Sequence, residues 1–234
     1  MDYDAVIKRM KAMKNPANVK GMARFGISSK NTLGIPMPVI RQVAKEIRKD
    51  HPLALRLWNS GIHEARILAA LIADPKLVTP GMMNSWVKDF DSWDVCDQCC
   101  FNLFDKTPYA YSKAKQWSVR KEEFVKRAAF ALMAGLAVHD KKAADSEFHK
   151  LLSIIQRSAD DPRNFVKKAV NWALRQIGKR NAFLNREALR TAKEIRKQDS
   201  PSARWIAADA IRELENRRNA KFSNEGKARN LKQR

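Results

Sequence analysis

Apolar residues return at three- and four-residue steps through Val39 to Ile47, Ile67 to Ile72, Val125 to Leu136, Phe165 to Ile177 and Trp205 to Leu214, and two-residue alternation is nearly absent. A chain patterned this way buries helix stripes rather than sheet faces, so the expected fold class is all-α. The punctuation agrees. Pro36, Pro52, Pro80, Pro108, Pro162 and Pro201 each fall near the start of a helical pattern, where a missing N–H costs little. Asp160-Asp161-Pro162 and Asp199-Ser200-Pro201 read as helix entries.

The helical stretches also resemble one another. A charged residue followed by small or apolar ones occurs in Arg66-Ile67-Leu68-Ala69-Ala70-Leu71 and again in Arg127-Ala128-Ala129-Phe130-Ala131-Leu132. Looser copies start at Lys168 and Arg204, giving separations of 61, 41 and 36 residues. The long first gap holds a further copy at Asp97-Gln98-Cys99-Cys100-Phe101-Asn102, 31 residues after Arg66 and 30 before Arg127. Repeats of that length stack as helical pairs into solenoids of the HEAT type, whose curvature offers an extended concave face. In this frame Arg66, Arg127, Lys168 and Arg204 begin equivalent helices along that face, and Asp97 is the acidic exception. The alternative is that similar amphipathic helices occur in any helical protein.

At 234 residues and 44% hydrophobic content, the chain can bury a substantial core as one domain or one continuous array. We expect a single repeat domain over 1–216 and a basic tail without fold over 217–234, where apolar periodicity stops. A net charge of +21 exceeds what solubility demands and favours a polyanionic partner, nucleic acid first among them. Without Arg217 to Arg234 the charge is still +15, so the body itself is basic. The start, Met1-Asp2-Tyr3-Asp4, lacks a signal-peptide pattern, and no stretch approaches the ~18 uninterrupted apolar residues of a membrane span. A cytoplasmic protein, nucleoid-associated when bound to DNA and monomeric without an obligate protein partner, is the expectation.

Several chemistries lack support. Cys96, Cys99 and Cys100 are clustered and odd in number, which suits buried, reduced thiols, and no second C-x-x-C or spaced histidine pair completes a zinc site. His51, His63, His139 and His149 form no H-E-x-x-H, and there is no Walker loop, dinucleotide fingerprint or G-x-S-x-G elbow. No metal or organic cofactor is expected.

One segment carries chemistry. In Asp91-Ser92-Trp93-Asp94-Val95-Cys96-Asp97 an aromatic and a carboxylate, Trp93 and Asp97, stand four residues apart and share a helix face. A structural reading buries Trp93 and leaves Asp97 as a solvated or capping group. The functional reading starts from charge: a carboxylate on a phosphate-binding surface opposes affinity unless it has a task. Stabilising positive charge on a sugar as an N-glycosidic bond breaks, or orienting water to the anomeric carbon, is such a task. Trp93 would offer its electron-rich face to a cationic base or sugar, worth roughly 0.5 to 2 kcal/mol. Trp172, with Lys168 and Arg175 at four- and three-residue steps, reads either as core packing beside a solvated face or as a DNA-contacting face. Arg127 reads as a helix-entry cation or a phosphate ligand, and the charge series favours phosphate.

Three stretches, Ser92-Trp93-Asp94-Val95-Cys96-Asp97, Phe124-Val125-Lys126-Arg127-Ala128-Ala129 and Asn164 to Arg175, resemble in order the signature stretches of the AlkD-type DNA glycosylases. Gly34-Ile35-Pro36 and Trp58 to Arg66 also resemble that family, so the likeness spans most of the chain before the tail. The resemblance implies a curved stack of HEAT-like repeats that removes cationic N3- or N7-alkylated purines from duplex DNA. It implies Asp97 as the catalytic carboxylate, Trp93 and Trp172 as aromatic walls beside the lesion's sugar, and Arg127 as the basic partner in the catalytic site. DNA contact is expected from Arg66, Lys126, Phe165, Lys168, Arg175 and Arg204. It further implies that the damaged base need not enter a deep pocket, since alkylation already weakens the glycosidic bond. Ser92 stands where many relatives carry a second tryptophan, and Asn164 where a second aromatic precedes the match to Phe165, so local DNA contacts are expected to differ. The rival expectation is a non-enzymatic HEAT-like scaffold that binds nucleic acid, and a third is a solenoid that binds an acidic protein.

Overall fold

A computed structural model of the chain describes the backbone of residues 1–231 and the side chains of residues 1–216; the expected basic tail over 217–234 lies outside the residues described with side chains. The elements are α1 Tyr3–Ala12, α2 Pro16–Ala23, α3 Met37–Ile47, α4 His51–Asn59, α5 His63–Ile72, α6 Pro80–Trp86, α7 Trp93–Asn102, α8 Ala110–Trp117, α9 Glu123–His139, α10 Asp145–Arg157, α11 Asn164–Gly178, α12 Ala182–Arg196 and α13 Pro201–Leu231. No strand occurs among the described residues, so the chain is all-α as its periodicity requires. The chain divides within α9 into two compact units, Met1–Leu132 and Met133–Arg234. Among the described residues no helix is long and apolar enough to cross a membrane.

Helix starts follow side-chain chemistry. Asp2, Asn15, Asp50, Thr79 and Asn181 each accept a hydrogen bond from the backbone N–H three residues on, at 2.8 to 3.1 Å, which satisfies an amide the helix leaves unpaired. Pro80 and Pro201 open α6 and α13, Pro52 sits in the first turn of α4, and Pro36 precedes α3. Pro108 and Pro162 lie two residues ahead of α8 and α11, in the connections. Of the two expected acidic entries, Asp199-Ser200-Pro201 caps α13 through Ser200, whose Oγ accepts from Ala203 N at 3.3 Å. Asp161 instead turns inward and forks onto Arg163, 2.9 and 2.6 Å away.

In the first unit α3 packs on α5 and α5 on α7, with α4 behind α5. Trp58 of α4 stacks on Trp86 of α6 with centroids 3.8 Å apart, and its indole N–H donates to Asp89 Oδ2 at 2.8 Å. Phe90, Phe104 and Trp117 extend that aromatic cluster. In the second unit α11, α12 and α13 pack mutually, and a Cβ on Gly178 would come within 2.8 Å of Leu214 and 2.9 Å of Ala188. Only the absent side chain permits that approach.

The recurring frame has a structural counterpart. Arg66, Asp97, Arg127, Lys168 and Arg204 fall at the fourth or fifth residue of α5, α7, α9, α11 and α13, that is, of every second helix. Their environments nevertheless differ: Arg127 is buried, Arg66 and Asp97 are half-buried, and Lys168 and Arg204 are exposed.

Candidate active site

Helix α7 has two unlike halves. Val95, Cys96, Cys99 and Cys100 are buried, whereas Trp93, Asp94, Asp97, Gln98, Phe101 and Asn102 are half-buried. At about 100° per residue, the second set occupies one half of the helical wheel and the first set the other. Cys96 and Cys100 donate to the Phe124 and Ala128 carbonyls at 3.8 and 3.6 Å, which docks the buried side on α9. Burial pushes the Cys99 and Cys100 thiols up, so they are packing groups and not nucleophiles.

On the other half, Asp97 meets Arg127 of α9. The guanidinium Nε donates to Oδ1 at 3.0 Å and Nη2 to Oδ2 at 2.7 Å, a bidentate fork between side chains only 15% and 6% exposed. Burial raises the Asp97 carboxyl from its ordinary value, Arg127 pulls it back, and Asp94 adds to the rise. Burial likewise opposes the Arg127 charge, but Asp97 outweighs it and the guanidinium is held more firmly protonated. Arg127 therefore points at Asp97, the residue with which the family resemblance groups it, and both Asp97 oxygens are engaged by it. Trp93, one turn before Asp97, donates its indole N–H to the Phe25 carbonyl at 3.1 Å, which fixes the plane of its ring.

Beside this pair lies a second one that spacing did not disclose. His63, at the start of α5, meets Asp94 through Nε2 and Oδ2 at 2.8 Å. Burial works against the imidazolium, but Asp94, with Glu64 and Asp91 adding to it, outweighs that and raises His63. Asp94 is lowered: burial raises it, and His63 more than compensates. Glu64, 1% exposed, accepts from the N–H groups of Leu33 (2.8 Å), Gly34 (2.6 Å) and Ile35 (3.2 Å). Gly34 has φ +77°, and a Cβ there would sit 2.3 Å from the Asn15 carbonyl, so this clamp tolerates glycine alone. His63, Glu64 and Gly34 all belong to the stretches that carry the family resemblance, but partners 30 or 31 residues apart cannot be matched without the fold.

These residues border a hollow of about 430 Å³ between α2, α3, α5 and α7, with Trp93, His63, Glu64, Asp94 and Gln98 on one side. Asp97 is not among its lining residues, although it shares the half-buried side of α7. Among the described residues no group of three or more His, Cys, Asp or Glu is arranged to hold a metal ion.

The remaining expected residues separate by unit. In the first, Arg66 donates to the Asp89 carbonyl at 2.9 Å and covers the Trp58 ring at 5.5 Å, and Lys126 is half-buried on α9. In the second, α11 carries half-buried Phe165 and Trp172 and exposed Lys168. Arg175 is held by Glu213, with Asp209 at 3.6 Å, and Arg204 pairs with Asp199 at 3.2 Å. Lys167, absent from the expected set, lies 5.0 Å over the Trp205 ring, an aromatic that is 41% exposed.

The fold is shared with a solved structure described as a new family of proteins related to the HEAT-like repeat DNA glycosylases with affinity for branched DNA structures. The TM-score is 0.76 at 19% identity, over 92% of this chain and 96% of that one. At that identity the likeness establishes the fold alone. No curated protein matches the sequence. The family model of the DNA alkylation repair enzymes matches residues 6–214, and the chain belongs to that family.

Proposed function

We propose that this chain is a DNA glycosylase that hydrolyses the N-glycosidic bond of cationic N3- or N7-alkylated purines in duplex DNA. The observation that carries the reading is the buried Asp97–Arg127 fork at the edge of the half-exposed side of α7, one turn from Trp93. A carboxylate so placed in a chain of charge +21 opposes DNA binding, and arginine holds it in one orientation. In the reaction the C1′–N bond breaks with both electrons leaving on the purine, which neutralises the alkylated base. The sugar is left as a cation. Asp97 stabilises that cation, and water then adds at C1′ and loses a proton, leaving an abasic sugar. The raised carboxyl makes Asp97 a better acceptor for that proton than an ordinary aspartate.

Arg127 orients Asp97 and Trp93 faces the developing charge. Trp172 is assigned a second aromatic wall, and Arg66, Lys126, Phe165, Lys168, Arg175 and Arg204 the DNA strand. A non-catalytic reading has one observation in its favour: the solved relative is described by its affinity for branched DNA. Single-turnover release of N7-methylguanine from duplex DNA separates the two. Wild type is expected to release the base and Asp97→Asn to lose about 10²- to 10³-fold in rate while still binding DNA. Binding without release of N7-methylguanine or of N3-methyladenine selects the scaffold.

A further inference from the structure

Helices α11 and α13 of the second unit meet in a regular register. Asn171 donates to Asp209 at 2.7 Å and Arg175 pairs with Glu213, two contacts one turn apart that each join residues 38 positions apart in the chain. One turn earlier, at the same interval, Lys167 lies 5.0 Å over the Trp205 ring. The ladder thus has three rungs at four-residue steps, and the first closes on an indole where the other two close on carboxylates. That indole is 41% exposed, although tryptophan is a side chain that folding usually covers well. Pro201 and Ala208, the exposed residues one turn to either side of it on α13, are compact and leave room beside the ring.

The charge around this end of the ladder is positive. Lys168 is exposed beside Lys167, and Arg204 is exposed beside Trp205. Arg204 meets Asp199 at 3.2 Å, but that carboxylate is fully exposed, and such a contact holds little in water. An exposed aromatic ring among cations suits a single nucleic-acid strand, because every base has a face to stack and the cations follow its phosphates. We propose that Trp205 is a stacking platform for an unpaired base of DNA, with Lys167, Lys168 and Arg204 on the flanking phosphates. A lysine over an exposed ring is weakly held, so Lys167 can turn from the indole to a phosphate as a base takes its place. An acidic polypeptide would satisfy the cations but bring no base to the indole, so nucleic acid is the occupant that uses both. The proposal needs DNA binding and not base excision, and it concerns bases already unpaired rather than the damaged one.

Fluorescence-anisotropy titration of the full chain tests it with three probes: oligothymidylate of about twelve nucleotides, the same backbone with every base removed, and a blunt duplex of equal length. Wild type is expected to bind oligothymidylate roughly tenfold more tightly than the base-free strand, because the phosphates are the same and only stacking differs. Trp205→Ala should bring oligothymidylate down to the level of the base-free strand, with duplex binding and thermal unfolding unchanged, and Trp205→Phe should recover most of the loss. Lys167→Gln should weaken the two single strands alike and make their binding less steeply dependent on salt. Equal binding of the two single strands by wild type, or wild-type binding of oligothymidylate by Trp205→Ala, overturns the proposal. So does an equal loss of duplex and single-strand binding in Trp205→Ala, which would make the ring an ordinary part of a duplex-binding face. The N7-methylguanine assay turns on Asp97 and not on Trp205, so this proposal and the glycosylase reading fail separately.

Discussion

Two carboxylates in this protein face arginine from a neighbouring helix of the same unit, and their acidities move in opposite directions. Asp97 on α7, 15% exposed and forked by Arg127, is raised because burial dominates. Glu213 on α13, 32% exposed and held by Arg175 and Lys179, is lowered: burial is still its largest single influence, but the two cations together outweigh it. A neighbouring arginine therefore does not by itself make a strong acid. Solvent access and the number of cations decide whether the carboxylate becomes a better base or a more permanent anion. The α11–α13 junction, where Asn171 also donates to Asp209 at 2.7 Å, is built as a surface network. The α7–α9 junction is built on a bidentate fork between side chains only 15% and 6% exposed.

The sharpest break of that comparison is truncation of the two arginines. Arg127→Leu leaves a buried carboxylate without its partner and is expected to cost about 3 to 5 kcal/mol in urea unfolding. Arg175→Leu, at a half-exposed network, is expected to cost about 1 kcal/mol or less. Similar losses for both would show that burial does not separate the pairs.

A smaller effect lies in pH. If ionised Asp97 drives excision, the acid limb of the single-turnover rate lies above the ordinary aspartate range, because burial raises the group. A limb at or below that range would mean that Arg127 dominates. The smallest effect is on the pH dependence of stability. Glu213, lowered in the folded chain, contributes stability that is present above the ordinary glutamate value and lost as pH falls through its folded value. Asp97, raised, has the opposite sign: its contribution is present below the ordinary aspartate value and lost as pH rises through its folded value. Glu213→Gln should therefore flatten the acid loss of stability seen in denaturant titrations, and Asp97→Asn should steepen it.

Much of the fold was legible in the residues. All five periodic stretches lie in helices, and the recurring charged position recurs at the fourth or fifth residue of every second helix. The three cysteines are buried and unpaired, as their number and clustering implied. Legibility was weaker for the site. That Trp93 and Asp97 share a helix face was legible because both sit on one helix, where a step of four residues is itself geometry. Charge alone left Arg127 between a helix-entry cation and a phosphate ligand, and its fork onto Asp97, 30 residues away, is visible only in the fold. His63 with Asp94 and Glu64 with the 33–35 turn were not found, since each joins segments about 30 residues apart.

Periodicity, capping residues and repeat spacing were enough to determine that this chain is a series of paired helices with a carboxylate in an otherwise basic frame. Those properties are local: they depend on side-chain direction over one or two helical turns and on backbone amides close in the chain. Tertiary structure alone decided which cation Asp97 faces, that burial raises its carboxyl, and that a hollow bordered by His63, Glu64 and Asp94 opens beside Trp93. Each of those depends on desolvation and on distances between helices, quantities that no sequence interval contains.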